Sequence, residues 1–79
     1  MKFKVKTFGV ARDVMGGKEV MVETEGNQVL DLRKELIFKY PELEKLRSLF
    51  IAVNQSYSED ATELKETDEI ALIPPVSGG

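Results

Sequence analysis

Seventy-nine residues, 42% of them apolar and 32% charged, suit one small folded domain with a core near the lower limit of self-sufficiency and leave no room for a second. The formal net charge of −3, from 11 basic and 14 acidic residues, comes without any basic run and argues against a nucleic-acid partner. With neither cysteine nor histidine in the chain, disulfides, thiol nucleophiles, thiolate and imidazole metal ligands and the commonest general base are all excluded.

The N-terminus lacks the charged, then apolar, then small-residue order of an export signal. No apolar stretch approaches the roughly 18 residues that span a bilayer, so a cytoplasmic location is expected. Residues Lys2 to Phe8 alternate, with Phe3 and Val5 on one face and Lys2, Lys4 and Lys6 on the other. This predicts a half-buried strand, and a row of lysines on a strand reads as protection of a sheet edge. Phe8 falls on the lysine face. Ala11 to Met15 form a short helical turn, and Gly16-Gly17 supply the backbone freedom for a reversal. Glu19 to Thr24 alternate again, Val20 and Val22 inward, as a second strand antiparallel to the first.

Asn27 reads as a helix N-cap, since its side-chain oxygen can accept from a free first-turn amide. Val29, Leu32, Leu36 and Tyr40 then recur at helical spacing, widened by Leu30 and Ile37, with Asp31 near the start and Lys39 near the end, as the helix dipole favours. Pro41 stops the helix, and Leu43, Leu46 and Leu49 pack an irregular connection. Phe50 to Val53 form an apolar strand, turned by Asn54-Gln55-Ser56 into a short segment around Tyr57. Ser58 to Asp68 is polar, anchored by Leu64, and Glu66-Thr67-Asp68 turn into a last strand, Glu69 to Ile73.

Two hairpins therefore flank a helix. Connection geometry places the first and last strands side by side and parallel at the centre of a mixed sheet of four to five strands, with the helix on one face: an α+β domain. The other sheet face is left bare. Phe8, Tyr57 and Ile73 point to it by alternation, and an apolar patch of that kind marks a partner surface.

After Ile73 come Pro74-Pro75-Val76-Ser77-Gly78-Gly79. The prolines cannot donate ladder hydrogen bonds and hold φ near about −65°, so the chain leaves the sheet stiff and extended. Gly78 and Gly79, lacking Cβ atoms, leave a main chain thin enough for a narrow channel in another protein, led by the terminal carboxylate. Glycines are also common in frayed ends. It is the Pro-Pro stop on a strand that favours a working tail over residues 74–79, expected to be flexible and to extend a single domain of residues 1–79.

The run Leu64-Lys65-Glu66-Thr67-Asp68-Glu69-Ile70-Ala71-Leu72-Ile73-Pro74-Pro75-Val76-Ser77-Gly78-Gly79 resembles the C-terminal signature of the molybdopterin synthase small-subunit family, which are ubiquitin-like β-grasp sulfur carriers. Phe8 with Ala11-Arg12-Asp13 and Gly16 resembles the family's first strand and turn, and Ala52-Val53-Asn54-Gln55 its central hairpin. The resemblance implies a carrier rather than an enzyme, with no bound cofactor or metal. An adenylyltransferase related to ubiquitin-activating enzymes would use ATP to join AMP to Gly79, and a sulfur donor would displace AMP to leave a thiocarboxylate. The tail would then enter the large subunit, where two such sulfurs build the dithiolene of molybdopterin from its precursor. Phe8, Tyr57 and Ile73 would dock both partners, and Pro74, Pro75, Val76 and Ser77 would line the entry behind Gly78 and Gly79. The family usually has glycine where this chain has Thr67, so a different turn is expected there.

The same tail suits a ubiquitin-like modifier joined to lysines through Gly79. The thiamin-pathway sulfur carrier shares the glycine pair but usually lacks the prolines, so Pro74-Pro75 speak against it. A binding module with an inert tail would never acquire AMP or sulfur at Gly79.

Overall fold

The computed structural model describes residues 1–46 and 49–74. Its five strands form one mixed sheet. The first strand, β1 (Lys2–Thr7), leads through a short helix, α1 (Val10–Met15), into β2 (Glu19–Glu23). The main helix, α2 (Val29–Lys39), is followed by a 3-10 turn at Pro41–Lys45, and then by β3 (Phe50–Val53), β4 (Ser56–Tyr57) and β5 (Ile70–Ile73). The strand order is β2-β1-β5-β3-β4. β1 and β5 run parallel at the centre, with Thr7 opposite Leu72, and the two hairpin partners are antiparallel. This is the arrangement expected from the connections, and it is the β-grasp that the family resemblance implies.

Alternation along the strands builds the core. Phe3, Val5, Val22, Ile51, Ile70 and Leu72 point inward and are fully or almost fully buried against Val29, Leu32 and Leu36 of α2. Ala11 and Met15 from α1, Leu43 from the 3-10 turn and Leu64 from the long polar loop close its margins. Leu64 is therefore the anchor its setting predicts.

Two local expectations are corrected. β1 lies inside the sheet, between β2 and β5, so its lysines do not guard an edge. They stand on the bare face, where Lys4 reaches Glu19 at 3.7 Å and Lys6 reaches Glu69 at 2.8 Å. The N-cap of α2 is Gln28, not Asn27. The Asn27 carbonyl accepts from the Leu64 amide at 2.6 Å, beside an antiparallel bridge that pairs Gln28 with Glu63 of the loop. The first helical amides, of Val29 and Leu30, donate to the carbonyls of Thr62 and Asp60 at 2.9 Å each. Asp31 completes the start by accepting from the Gln28 amide at 3.0 Å. Orphan donors at a helix start need partners of some kind, and here a tertiary loop provides them.

The turns follow residue type. Gly16 ends α1 with φ 78°, while Asn54 and Gln55 carry φ of 52° and 70° between β3 and β4. Two successive positive values match the twist of a two-residue hairpin, and asparagine tolerates them better than most residues. Thr67 is not among the residues with positive φ. Its turn is closed instead by the Asp68 amide donating to the Lys65 carbonyl at 2.9 Å, a geometry that a β-branched residue accepts.

Candidate functional site

The helices cover one face of the sheet and leave the other to solvent. On that outer face the cross-strand register sets two rows. Lys6 lies opposite Ala71, Ala71 opposite Ala52, and Ala52 opposite Tyr57. In the second row Ile73 lies opposite Phe50, with Phe8 just beyond the end of β1. The two alanines keep the floor low, and the larger side chains stand around it. The result is an open groove of about 470 Å³ lined by Lys6, Phe8, Ala52, Gln55, Tyr57, Glu69, Ala71 and Ile73.

All three residues expected on this face are thus brought together. Phe8 is 45% exposed and Tyr57 is 70% exposed, and it is their grouping in one groove, rather than exposure alone, that marks a partner surface. Pro74 follows Ile73 directly and is half-buried. Its Cγ lies 3.4 Å from where a Cβ on Gly9 would stand, so the chain leaves β5 against the turn after β1. Pro75, Val76, Ser77, Gly78 and Gly79 lie outside the described residues.

The residue that sequence reasoning missed is Phe50. It reads as part of a buried apolar run, yet it is 45% exposed, and its ring centroid sits 5.2 Å from that of Tyr57 at an interplanar angle of 37°. The signal was available in the alternation: with Ile51 and Val53 inward, Phe50 and Ala52 must face outward.

The groove has a polar end. Lys6 Nζ donates to Glu69 Oε1 at 2.8 Å, and this hydrogen bond, with the attraction of the carboxylate, holds the Lys6 ammonium above its ordinary value. The lysine face is therefore largely charge-compensated at this point. Below it, Asp68 accepts from the Lys65 amide at 2.8 Å and from Asn54 Nδ2 at 3.1 Å, which lowers its carboxyl below the ordinary value because both donors favour the ionised form. Among the described residues no group of His, Cys, Asp and Glu side chains converges as a metal site requires, and no helix is long and apolar enough to cross a membrane.

Apolar and aromatic side chains around one ion pair, open to solvent, have the character of a partner-binding surface. Comparison with known proteins agrees with that character. The ThiS family model matches residues 5–79. The molybdopterin synthase sulfur carrier subunit of Arabidopsis thaliana is 35% identical over 81 residues, covering 100% of this chain and 84% of the relative. The fold matches a protein–protein complex of subunits 1 and 2 of the molybdopterin-converting factor from Helicobacter pylori, at TM-score 0.67 and 31% identity with 100% of each chain covered. It also matches small archaeal modifier protein 1 from Methanosarcina acetivorans, at TM-score 0.78 and 32% identity, covering 99% of this chain and 96% of that one.

Proposed function

The chain belongs to the ThiS family, and on that premise we propose that it is the sulfur carrier subunit of molybdopterin synthase, working through Gly79. The chain does no catalysis alone. An α-carboxylate with a pKa of about 3.5 is ionised at neutral pH and attacks the α-phosphorus of ATP, releasing pyrophosphate, but its own carbonyl is a poor electrophile. Adenylylation by a partner related to ubiquitin-activating enzymes supplies AMP as a leaving group. A persulfide on a donor protein then forms a bond from its outer sulfur to the acyl carbon as the bond to AMP breaks, and a thiol reductant cleaves the resulting acyl disulfide, leaving the carrier as a thiocarboxylate and the donor sulfur in a disulfide. In the large subunit the sulfur bonds to the pterin precursor, and water then breaks the acyl–sulfur bond, leaving the sulfur on the precursor and returning Gly79 to the carboxylate. ATP belongs to the adenylyltransferase, and the carrier holds no cofactor.

The chain's own residues do two things in this scheme. Phe8, Tyr57 and Ile73, joined by Phe50, dock the adenylyltransferase and the large subunit in turn. Pro74, Pro75, Val76 and Ser77 guide the end, and Gly78 and Gly79 carry no side chain that would block a narrow channel. With no cysteine in the chain, no internal thiol competes for the activated acyl group. The observation that supports the scheme best is continuity: Ile73 lines the groove, and the tail begins at the next residue.

Deleting Gly79 tests it. The truncated chain is expected to form no thiocarboxylate with ATP, adenylyltransferase and sulfur donor, while the full chain gains the mass of sulfur in place of oxygen. Sulfur supplied by the truncated chain to reconstituted synthase would end the proposal. The likeness to small archaeal modifier protein 1 favours a second reading, in which a lysine amine attacks the activated Gly79. Gly-Gly remnants on lysines of cellular proteins would support it, and their absence under several growth conditions would count against it.

A further inference from the structure

The acidic pair Asp68-Glu69 and the hairpin residue Asn54 have no part in the scheme above, yet three hydrogen bonds tie them together. Asn54 donates its backbone amide to the Glu69 carbonyl at 2.7 Å and accepts the Glu69 amide on Oδ1 at 2.9 Å. Its Nδ2 donates to Asp68 Oδ1 at 3.1 Å, while Asp68 Oδ2 accepts from the Lys65 amide at 2.8 Å. The β3–β5 ladder has its last pair at Val53 and Ile70. Asn54 therefore extends the ladder by one step, its backbone amide and its side-chain Oδ1 both bonded to Glu69, while its φ of 52° begins the turn.

The two acids then have separate tasks. Asp68 faces back into the turn and holds the hairpin, whereas Glu69 reaches Lys6 on the outer face. The hairpin held in this way carries Tyr57, two residues beyond Gln55, and Tyr57 is the ring that leans on Phe50. β4 is only Ser56–Tyr57, too short to fix its own direction by ladder bonds. A two-residue edge strand takes its orientation from the turn that feeds it.

We propose that Asn54 and Asp68 form a clamp that positions Tyr57 and the entry of β5, so that the clamp sets how well the outer groove docks its partners without touching them. The two are positioning residues, and their contribution to docking rests on the sulfur-carrier reading given above.

The informative substitution is Asn54→Gly. Glycine keeps the positive φ but removes both side-chain hydrogen bonds, so it separates the shape of the turn from the clamp. Asp68→Ala removes the acceptor and leaves the turn residue alone. At a temperature where all variants are fully folded, each is expected to raise the KM for the carrier in ATP-dependent adenylylation about fivefold, the size of one net hydrogen bond, with kcat unchanged. The double variant is expected to fall short of the combined effect of the two single ones, because the Asn54–Asp68 bond is lost in both while the Glu69 and Lys65 bonds are each lost in one. A KM equal to that of the unaltered chain in Asn54→Gly would overturn the inference, as would additive effects in the double variant. A readout on the free full chain stands apart from the sulfur chemistry: nuclear Overhauser contacts between the Phe50 and Tyr57 rings should weaken in Asn54→Gly. If the unaltered chain is never adenylylated, the sulfur-carrier reading fails and this contact decides the clamp alone, its retention at full strength overturning the inference.

Discussion

The two faces of the sheet are built from the same strands, one residue out of step. In β5, Ile70 and Leu72 are buried while Ala71 and Ile73 face the groove. In β3, Ile51 is buried and Phe50 is exposed. The inner face takes its sheet side chains mainly from branched aliphatics packed against α2. The outer face gathers aromatics around two alanines, a composition better suited to a removable partner than to a permanent core. Stability and recognition are thus separated by side-chain direction rather than by position along the chain, so adjacent residues should give opposite phenotypes.

The largest test of that separation is Leu72→Ala. Leu72 is fully buried, and truncation of such a side chain costs about 2–5 kcal/mol. A domain of this length has roughly 4–12 kcal/mol in all. Denaturant titration should show the midpoint falling sharply. A loss well under 1 kcal/mol would mean that the inner face is not the core.

Tyr57→Ala should show the reverse. Stability is expected to change by about 1 kcal/mol or less, mostly from the lost ring contact with Phe50. Affinity for the adenylyltransferase or the large subunit should fall about thirtyfold, the equivalent of about 2 kcal/mol. Calorimetric titration against each partner measures this directly, and unchanged affinity for both would remove the outer face from the docking scheme.

The smallest effect concerns acid. Asp68 is held below its ordinary carboxyl value of 3.8 by the Lys65 amide and then by Asn54. A carboxyl with a lowered folded pKa adds stability that is complete above the unfolded value and fades as pH falls through the folded one. Unfolding curves of the native chain should therefore weaken below about pH 4, and part of that dependence should vanish in Asp68→Ala. Identical acid limbs in the two proteins would show that the clamp carboxylate is not held in this way.

Much of this was legible locally. The alternation of Lys2 to Phe8 and of Glu19 to Thr24 gave two strands with their buried faces, and Val29, Leu32 and Leu36 marked the helix stripe. The groove residues Phe8, Tyr57 and Ile73 followed from the same counting. Phe50 was legible by the same alternation and was missed, whereas Asn27 failed because a partner distant in sequence intervened. Asn27 looks like a cap until the Leu64 amide claims its carbonyl. The lysines look like edge protection when β1 is taken alone, but its place between β2 and β5, which the connections already implied, makes them outer-face residues instead.

The amino-acid order by itself determined the element types, the direction of each side chain within its strand and the family-like C-terminal run, because periods of two and of 3.6 residues are local properties of the backbone. Only the tertiary structure decided which outward residues meet. Phe50 joins Tyr57, and Asn54 finds Asp68 across 14 residues of chain, because register between strands is set by turns and packing that no single segment contains.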